Sequence, residues 1–232
     1  MNNIAIIPAR GGSKRIPRKN IKEFCGQPII AWSIQAAIES RLFSKVVVST
    51  DDPEIASISR AYNAETPFLR PADLADDYTP TVPVINHALQ YLEENGESFD
   101  YVCCLYATAP FVSKRSLEES YQLISKSSYD YVFPITEFPF SIQRALRVNE
   151  NGALNMLYPE HALTRSQDLE VFYHDAGQFY WGYSSIWKKN LPLLNSKAKG
   201  IKLTQDQVRD IDTIEDWLIA ESLFKRKLVE LP

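Results

Sequence analysis

The sequence contains few cysteines, and their arrangement does not suggest a disulfide framework. There are three in 232 residues, an odd number. Two of them, Cys103 and Cys104, are adjacent, so on a strand they would face opposite ways. Neither a disulfide pattern nor a metal-binding spacing emerges. We therefore expect small, buried hydrophobic side chains in a reducing compartment.

Long hydrophobic runs are also absent, and positive charge does not dominate. No apolar stretch is long enough to span a membrane, and the apolar run at residues 4–7 is too short for a signal peptide. The chain has 25 Lys and Arg against 29 Asp and Glu, a formal net charge of −4. This balance argues against nucleic-acid binding, which needs a basic face. We expect a soluble, cytoplasmic protein with neither a nucleic-acid nor a membrane partner.

Apolar runs rich in β-branched residues alternate with helical patterns, which is typical of βαβ units and a mostly parallel sheet. The length and the 45% hydrophobic content suffice for one substantial α/β domain. Asp52 followed by Pro53 predicts a helix start, and Thr213 with Asp216 has the spacing of a capping box. The predicted strands are 4–8, 45–50, 67–69, 101–107 and 129–136. The predicted helices are 28–39, one after Asp52, 82–94, one after Ser113, and 213–228.

Residues 138–172 interrupt this alternation. The stretch ALRVNENGALNML has two short apolar runs around Asn151 and Gly152, which predicts a β-hairpin. Such an excursion can serve a binding rim or a subunit interface, or it can be an ordinary surface loop.

A cluster of positive charge follows the first predicted strand, in IIPARGGSKRIPRKN. The segment lacks the Gly-Lys-Ser/Thr of a Walker loop, and the chain lacks GxGxxG. In a doubly wound sheet, however, the first strand-to-helix connection commonly cradles phosphate. Gly11 and Gly12 would let backbone approach a phosphate, and one cation near a phosphate oxygen contributes roughly 4 kcal/mol of Coulomb attraction at an effective dielectric near 20. The alternative is a solvated basic surface turn.

Several long motifs extend this interpretation. The basic segment resembles the signature of the cytidylyltransferases that activate nine-carbon acidic sugars, the sialic acid family. The likeness continues through VSTDDPEIA (48–56), PFLRPADLADD (67–77), YATAP (106–110) and DIDTIEDW (210–217). It implies an α/β, Rossmann-like nucleotidyltransferase fold in a single domain, 1–232, in which 138–172 is a projecting dimerisation and sugar-site element. It also implies transfer of CMP from CTP to a 2-keto sugar acid, with release of pyrophosphate.

The resemblance implies a nucleotide site. Arg10, Lys14 and Lys19 would contact the triphosphate, with Arg10 and Lys19 as catalytic residues. Gly11, Gly12 and Ser13 belong to the same turn. Asn20 would contact the ribose or base, and Arg70, Thr79 and Thr81 would read the cytosine. Arg15 and Arg18 stay open between substrate contacts and solvated side chains, and Arg70 could instead pair with a surface carboxylate.

Asp210 and Asp212 form a candidate metal site. Alternate side chains on an extended segment face the same way, so both carboxylates can bind one Mg²⁺. The family uses this pair for metal; the alternative is that Asp212 helps to begin the last helix.

The sugar site is expected at Tyr106, Thr108, Asp175, Gln178 and Tyr180. HDAGQFYWG resembles the branch of the family that activates pseudaminic acid, and Tyr106 replaces a glutamine of the sialic acid synthetases. Tyr106, Phe179, Tyr180 and Trp181 could line an apolar pocket, although core packing is the alternative for 179–181. Arg165 would clamp the sugar carboxylate from the neighbouring subunit of a homodimer. A sialic or legionaminic acid enzyme, or a catalytically silent nucleotide-sugar-binding regulator, remains an alternative; the family context suggests decoration of flagellin or surface polysaccharide.

Overall fold

The computed structural model describes residues 2–230, with every side chain except those of residues 195 and 228–230. The strands are β1 (Asn3–Pro8), β2 (Glu23–Phe24), β3 (Gln27–Pro28), β4 (Lys45–Ser49), β5 (Tyr101–Leu105), β6 (Tyr131–Glu137), β7 (Leu146–Val148), β8 (Leu154–Met156), β9 (Tyr173–Asp175), β10 (Phe179–Tyr183) and β11 (Ala198–Leu203). The α-helices are α1 (Ile29–Ser40), α2 (Pro53–Ala61), α3 (Thr81–Glu94), α4 (Lys114–Ser125), α5 (Ser184–Trp187) and α6 (Ile214–Glu230).

The centre of the molecule is a seven-stranded sheet in the order β11-β6-β10-β5-β1-β4, with β9 added to β6. β1 pairs in parallel with β4 and β5, and β11 pairs in parallel with β6. β10 is antiparallel to both of its neighbours, and β9 is antiparallel to β6. The expectation of a mostly parallel α/β sheet is therefore confirmed.

Both faces of the sheet are covered, which explains the continuous apolar sequence of its inner strands. In β1, Ala5 and Ile7 pack into the core on one face, whereas Ile4 and Ile6 pack into the core on the other. All four side chains are fully buried, and each isoleucine contributes about 1.5–3 kcal/mol relative to an exposed position. A third apolar cluster joins α6 to the segment after the basic turn through Trp217, Phe224 and Phe24.

The helix starts follow the predicted capping signals. The Asp52 carboxylate accepts hydrogen bonds from the backbone N–H groups of Glu54 and Ile55 at the start of α2. Asp216 Oδ2 accepts from the Thr213 N–H at 2.8 Å, and Thr213 Oγ1 accepts from the Asp216 N–H at 3.1 Å. These side chains satisfy donors that the first helical turn leaves unpaired.

The predicted strand at 67–69 is wrong, because these residues lie in a loop. Only Glu65 forms a β-bridge there, with Val47. Pro67 begins the stretch and Pro71 follows two residues after it; neither has an N–H to donate to a ladder, which disfavours a strand. The predicted strand 101–107 ends two residues earlier, at Leu105.

The hairpin predicted in residues 138–172 is confirmed. β7 and β8 pair antiparallel around Asn149–Ala153, and Gly152 has a φ of +77°, which favours glycine. The strands carry large exposed apolar side chains, among them Leu146, Val148 and Leu154.

Cys103 and Cys104 are buried in β5, as expected for small core residues, and all three cysteines are free. Within residues 2–230, no helix has the combination of length and apolar character that crossing a bilayer requires.

Candidate active site

A cavity of about 290 Å³ opens beyond the carboxyl ends of β1 and β5, and we call it the first cavity. This is the edge at which ligands bind in open α/β sheets. Its lining includes many of the residues predicted for the nucleotide and sugar: Arg10, Ser13, Lys14, Lys19, Asn20, Arg70, Thr79, Thr81, Tyr106 and Thr108. The structure thus brings together side chains from three separate stretches of the sequence: the basic segment, residues 70–81 and YATAP.

A second cavity, of about 330 Å³, contains Asp175 and Asp210. His174, Arg209 and Asp216 also line it. Asp212, two residues beyond Asp210, contacts two residues of the first cavity, Arg15 and Lys19. The segment that carries both aspartates therefore lies between the two cavities.

The topology explains how the aspartates reach the basic turn. β11 runs parallel to β6 and ends at Leu203. The chain then crosses the carboxyl edge of the sheet before α6 begins at Ile214. Lys19 Nζ donates to the carbonyl oxygen of Ile211 at 2.7 Å and lies 3.6 Å from Asp212 Oδ1. Arg15 Nη1 lies 2.7 Å from Asp212 Oδ2.

Two other cations of the turn share a single carboxylate. Arg10 Nη1 donates to Asp77 Oδ1 at 2.6 Å, and Lys14 forms an ion pair with Asp77 Oδ2. Arg10 also donates to the carbonyl oxygen of Asp76 at 2.7 Å. Arg10 and Lys14 therefore face the first cavity while already paired with a loop of the same chain.

Arg18 has a different role. It forms ion pairs with Asp52 and Glu54, and its own φ is +56°. Hydrogen bonding from Arg18, assisted by backbone donors at the start of α2, lowers the pKa of Asp52 to about 2. Arg18 thus fixes the turn to α2, which favours the structural alternative for this residue.

The Gly11 backbone lies close to the Asp52 side chain, whereas the sequence predicted that it would approach a phosphate. A Cβ at Gly11 would lie 2.6 Å from Asp52 Oδ2, and the Gly11 N–H donates to Asp51 Oδ1 at 3.0 Å. A Cβ at Gly12 would meet nothing within 4 Å. Gly11 is therefore required for the packing of the turn on the start of α2.

Asn20 and Arg70 are the buried polar side chains of the first cavity. Asn20 Nδ2 donates to the Arg10 carbonyl oxygen at 2.8 Å and so holds the turn. Arg70 Nη2 lies 3.7 Å from Asp51 Oδ1, too far for a hydrogen bond. Its Nε and Nη2 have no hydrogen-bond partner among the described residues. Burial lowers the pKa of Arg70, and an acceptor in the cavity would satisfy its free donors.

The two threonines make different contacts. Thr79 donates from both its N–H and its Oγ1 to Asp76 Oδ1, each at 2.6 Å. Thr81 Oγ1 lies 3.0 Å from the Tyr106 hydroxyl. Burial raises the pKa of Tyr106 to about 12, so this hydroxyl stays protonated at neutral pH and can donate a hydrogen bond.

Phe179, Tyr180 and Trp181 form β10 and are at most 2% exposed. They pack in the core, and neither of the two cavities described here is lined by them. The apolar pocket predicted from these three residues is therefore wrong, and Tyr106 alone of that group lines a cavity. The Tyr180 hydroxyl donates to Asp175 Oδ2 at 2.5 Å, and its ring lies edge-on to Tyr106.

The side chains of Asp175 and Gln178 form hydrogen bonds with other residues of the chain. Asp175 Oδ1 accepts from the Gly177 N–H at 2.9 Å, so both carboxylate oxygens are engaged. Gln178 Nε2 donates to the Gln207 carbonyl oxygen at 2.6 Å, while the buried Gln178 Oε1 has no partner among the described residues. Gln178 lines neither cavity, and its backbone carbonyl accepts from the Tyr106 N–H. Asp175 therefore fixes the turn into β10, and the Gln178 backbone joins that turn to the end of β5.

Arg165 lies apart from both cavities in this single chain. It is exposed and pairs with Asp168 at 2.6 Å within the same short segment. Its expected role depends on a neighbouring subunit and stays a prediction.

The donor set of Asp210 and Asp212 fits a hard cation such as Mg²⁺, which prefers carboxylate oxygens. Within the described residues, no group of three or more His, Cys, Asp or Glu side chains is arranged to hold a metal, so phosphate oxygens and water would have to complete the coordination. Partial burial, and then the charge of Asp212, raise the pKa of Asp210. A cation between the two carboxylates would relieve this repulsion.

Three charged residues of the site were missed by sequence reasoning. Asp51 and Asp77 bind the basic turn, and Arg209 lines the second cavity. Asp77 lies in PFLRPADLADD and Arg209 directly precedes Asp210, so the motifs contained the signal. Spacing alone does not reveal a partner that lies far away in the sequence.

A family model described as cytidylyltransferase matches residues 4–216 of the chain. The chain belongs to the cytidylyltransferase family. A pseudaminic acid cytidylyltransferase of Campylobacter jejuni subsp. jejuni serotype O:2 is 44% identical over 225 residues, covering 97% of each chain. A CMP-N,N'-diacetyllegionaminic acid synthase of Legionella pneumophila is 31% identical, again covering 97% of each.

The fold of this family member agrees with a solved relative. A CMP:2-keto-3-deoxy-manno-octonic acid synthetase complexed with CTP superposes with a TM-score of 0.73 at 16% identity, covering 98% of this chain and 100% of the other. At this identity the likeness shows the fold alone. The cytidylyltransferase therefore has the expected Rossmann-like nucleotidyltransferase fold, with a small β-hairpin.

Proposed function

We propose that the chain transfers CMP from CTP to the anomeric hydroxyl of pseudaminic acid, giving CMP-pseudaminic acid and pyrophosphate. The observation that carries this proposal is the meeting of Arg15 and Lys19 with Asp212, across almost the whole length of the sequence. It joins the cationic turn of the first cavity to the carboxylates beside the second cavity. The cationic turn and the aspartate pair can therefore act on the same triphosphate.

In the proposed reaction, the anomeric hydroxyl oxygen attacks the α-phosphorus in line, forms the new P–O bond and loses its proton to solvent. The bond to the bridging oxygen breaks, and pyrophosphate leaves with the electron pair. Arg10, Lys14 and Lys19 bind the triphosphate and stabilise the charge that grows on it. Asn20, Arg70, Thr79 and Thr81 surround the nucleoside. Tyr106 and Thr108, which also line the first cavity, face the sugar.

The proposal includes Mg²⁺ as the cofactor. When bound, the ion would neutralise phosphate charge and bring the reacting groups together. Asp210 and Asp212 would hold it, and Lys19 keeps their segment in place through the Ile211 carbonyl. The chain's own cations supply the rest of the charge stabilisation.

The sugar is assigned by comparison and by Tyr106. The 44% identical relative is a pseudaminic acid enzyme, whereas the legionaminic acid relative is only 31% identical. Tyr106 presents a partly buried ring and a hydroxyl held by Thr81, which fits a deoxygenated sugar better than a fully hydroxylated one.

Pyrophosphate release with CTP, Mg²⁺ and each of three sugar acids tests the proposal. We expect kcat/KM for pseudaminic acid to exceed that for sialic and legionaminic acids by more than about tenfold, since an apolar surface discriminates against an added hydroxyl by roughly 1–3 kcal/mol. Equal or better turnover of sialic acid would remove the assignment of the sugar. If none of the three supports release, the catalytically silent regulator becomes the better interpretation.

We also propose a homodimer in which residues 138–172 of a single cytidylyltransferase domain form the interface and bring Arg165 to the neighbouring sugar site. Phe140 and Leu163 are 84% and 98% exposed, and large exposed apolar groups are typical of interfaces.

Sedimentation velocity should give the mass of a dimer, and Leu163→Glu should shift it towards the monomer. Leu194→Glu is the matched control, because Leu194 is also exposed but lies outside this segment. A wild-type monomer at micromolar concentration would contradict the dimer.

A further inference from the structure

The carboxylate of Asp77 forms ion pairs with two of the cations assigned to the triphosphate, Arg10 and Lys14. Asp77 Oδ1 lies 2.6 Å from Arg10 Nη1, and Asp77 Oδ2 pairs with Lys14 Nζ. All three residues line the first cavity. Two oxygens of a single anionic group therefore bridge Arg10 and Lys14, as two oxygens of a phosphate could.

The loop that carries Asp77 is shaped so that its carboxylate meets the turn. Asp76 Oδ1 accepts hydrogen bonds from the N–H groups of Tyr78 and Thr79, at 2.9 and 2.6 Å. The Asp76 carbonyl oxygen accepts a hydrogen bond from Arg10 at 2.7 Å. The contact between loop and turn thus combines backbone and side-chain acceptors.

The charges favour an exchange with phosphate. Side chains of Arg10 and Lys14 are 35% and 81% exposed, so solvent screens their pairing with Asp77 and each ion pair is weak. A triphosphate or pyrophosphate carries several charges on adjacent groups. Such a ligand can replace one carboxylate at low cost.

We infer that Asp77 is a positioning residue that holds Arg10 and Lys14 over the first cavity in the nucleotide-free enzyme, gives them up to the triphosphate, and takes them back as pyrophosphate leaves. The inference rests on the proposed function in that CTP is the natural ligand. It assigns to the loop of residues 71–80 a part in product release that is separate from reading the base.

Isothermal titration of the full-length Asp77→Asn variant tests this exchange, with CTP, pyrophosphate and cytidine as probes. Asparagine keeps the size of the side chain but removes the competing charge. We expect CTP and pyrophosphate to bind roughly three- to tenfold more tightly than to wild type. Cytidine, which has no phosphate, should bind equally to both proteins. The slope of log Kd for CTP against log salt should become steeper, because both cations are then free for the ligand.

Asp73→Asn is the control. Asp73 lies exposed on the same loop, and its replacement changes the net charge by the same amount as Asp77→Asn. Asp73 has no ion pair among the described residues. If both variants tighten CTP equally, the effect is one of overall charge and the inference is wrong. Weaker or unchanged pyrophosphate binding by Asp77→Asn would also overturn it. If Asp77→Asn binds pyrophosphate more tightly than wild type does, but wild type binds no CTP, the exchange is supported and CTP is refuted as the nucleotide substrate.

Discussion

Replacing Asp212 with asparagine should lower kcat by about a hundredfold or more, because an amide removes the charge that would hold the metal beside the phosphates. The Asp212 carboxylate lies next to Lys19 and Arg15 at the boundary of the two cavities. Without Mg²⁺, CTP affinity should be unchanged or tighter, since Asp212 no longer competes for the two cations. The gain in affinity that Mg²⁺ gives to wild type should be lost.

Steady-state pyrophosphate release and calorimetric titration with and without Mg²⁺ measure these effects. The fold should persist, because the Asp212 side chain is 37% exposed and its ion pairs are worth little to stability. Glu215→Gln is the matched control: Glu215 is an exposed carboxylate in the first turn of the same helix. Wild-type kcat in Asp212→Asn at limiting Mg²⁺ would refute the metal assignment.

Replacing Lys19 with alanine should lower kcat/KM for CTP by roughly a hundred- to a thousandfold, the loss typical when one preorganised donor to a developing anion is removed. Lys19 is held in position by the Ile211 carbonyl and is only 20% exposed. Its charge is therefore weakly screened and already aimed at the first cavity. Both CTP affinity and kcat should fall, whereas the KM of the sugar acid should change little.

Lys22→Ala is the comparison for this variant. Lys22 belongs to the same basic segment, but its Nζ lies 5.4 Å from the Trp217 ring centroid, and the residue does not line the first cavity. It should keep near wild-type kinetics. A defect of Lys19→Ala that is confined to the KM of the sugar acid would show that the first cavity does not hold the triphosphate.

Local signals in the sequence predicted much of the fold. Asp52 followed by Pro53, and Thr213 with Asp216, start helices because the capping side chains and their N–H donors are close in sequence. The buried strands β1, β4 and β5 were predicted from their apolar runs, since both sheet faces are covered.

The errors lie where tertiary pairing decides the structure. The segment 67–69 looks extended, but Pro67 within it and Pro71 just after it disfavour a strand, and it lies in a loop. Phe179, Tyr180 and Trp181 were candidates for a pocket lining, with core packing as the alternative; the pairing of β10 with β5 and β6 buries these rings. β11 is an edge strand with two exposed lysines, Lys199 and Lys202, among small and apolar residues, and this pattern gives a weak strand signal.

The candidate site likewise contains residues that the sequence predicted and residues that it did not. The turn, Arg70, Thr81 and the aspartate pair were predicted from long motifs, and the structure brings the turn to Asp212. Asp77, Asp51 and the hydrogen bond from Tyr180 to Asp175 were not predicted. Each joins residues whose contact depends on the path of a loop, which no local pattern encodes.

A double-mutant cycle of Lys19→Ala and Asp212→Asn tests most directly whether the turn and the aspartates act on one triphosphate. Residues that act as a unit show strongly non-additive losses. The double variant should therefore lose little more kcat/KM than the worse single variant. Losses that multiply fully would mean that Lys19 and Asp212 serve separate sites, and would contradict the account.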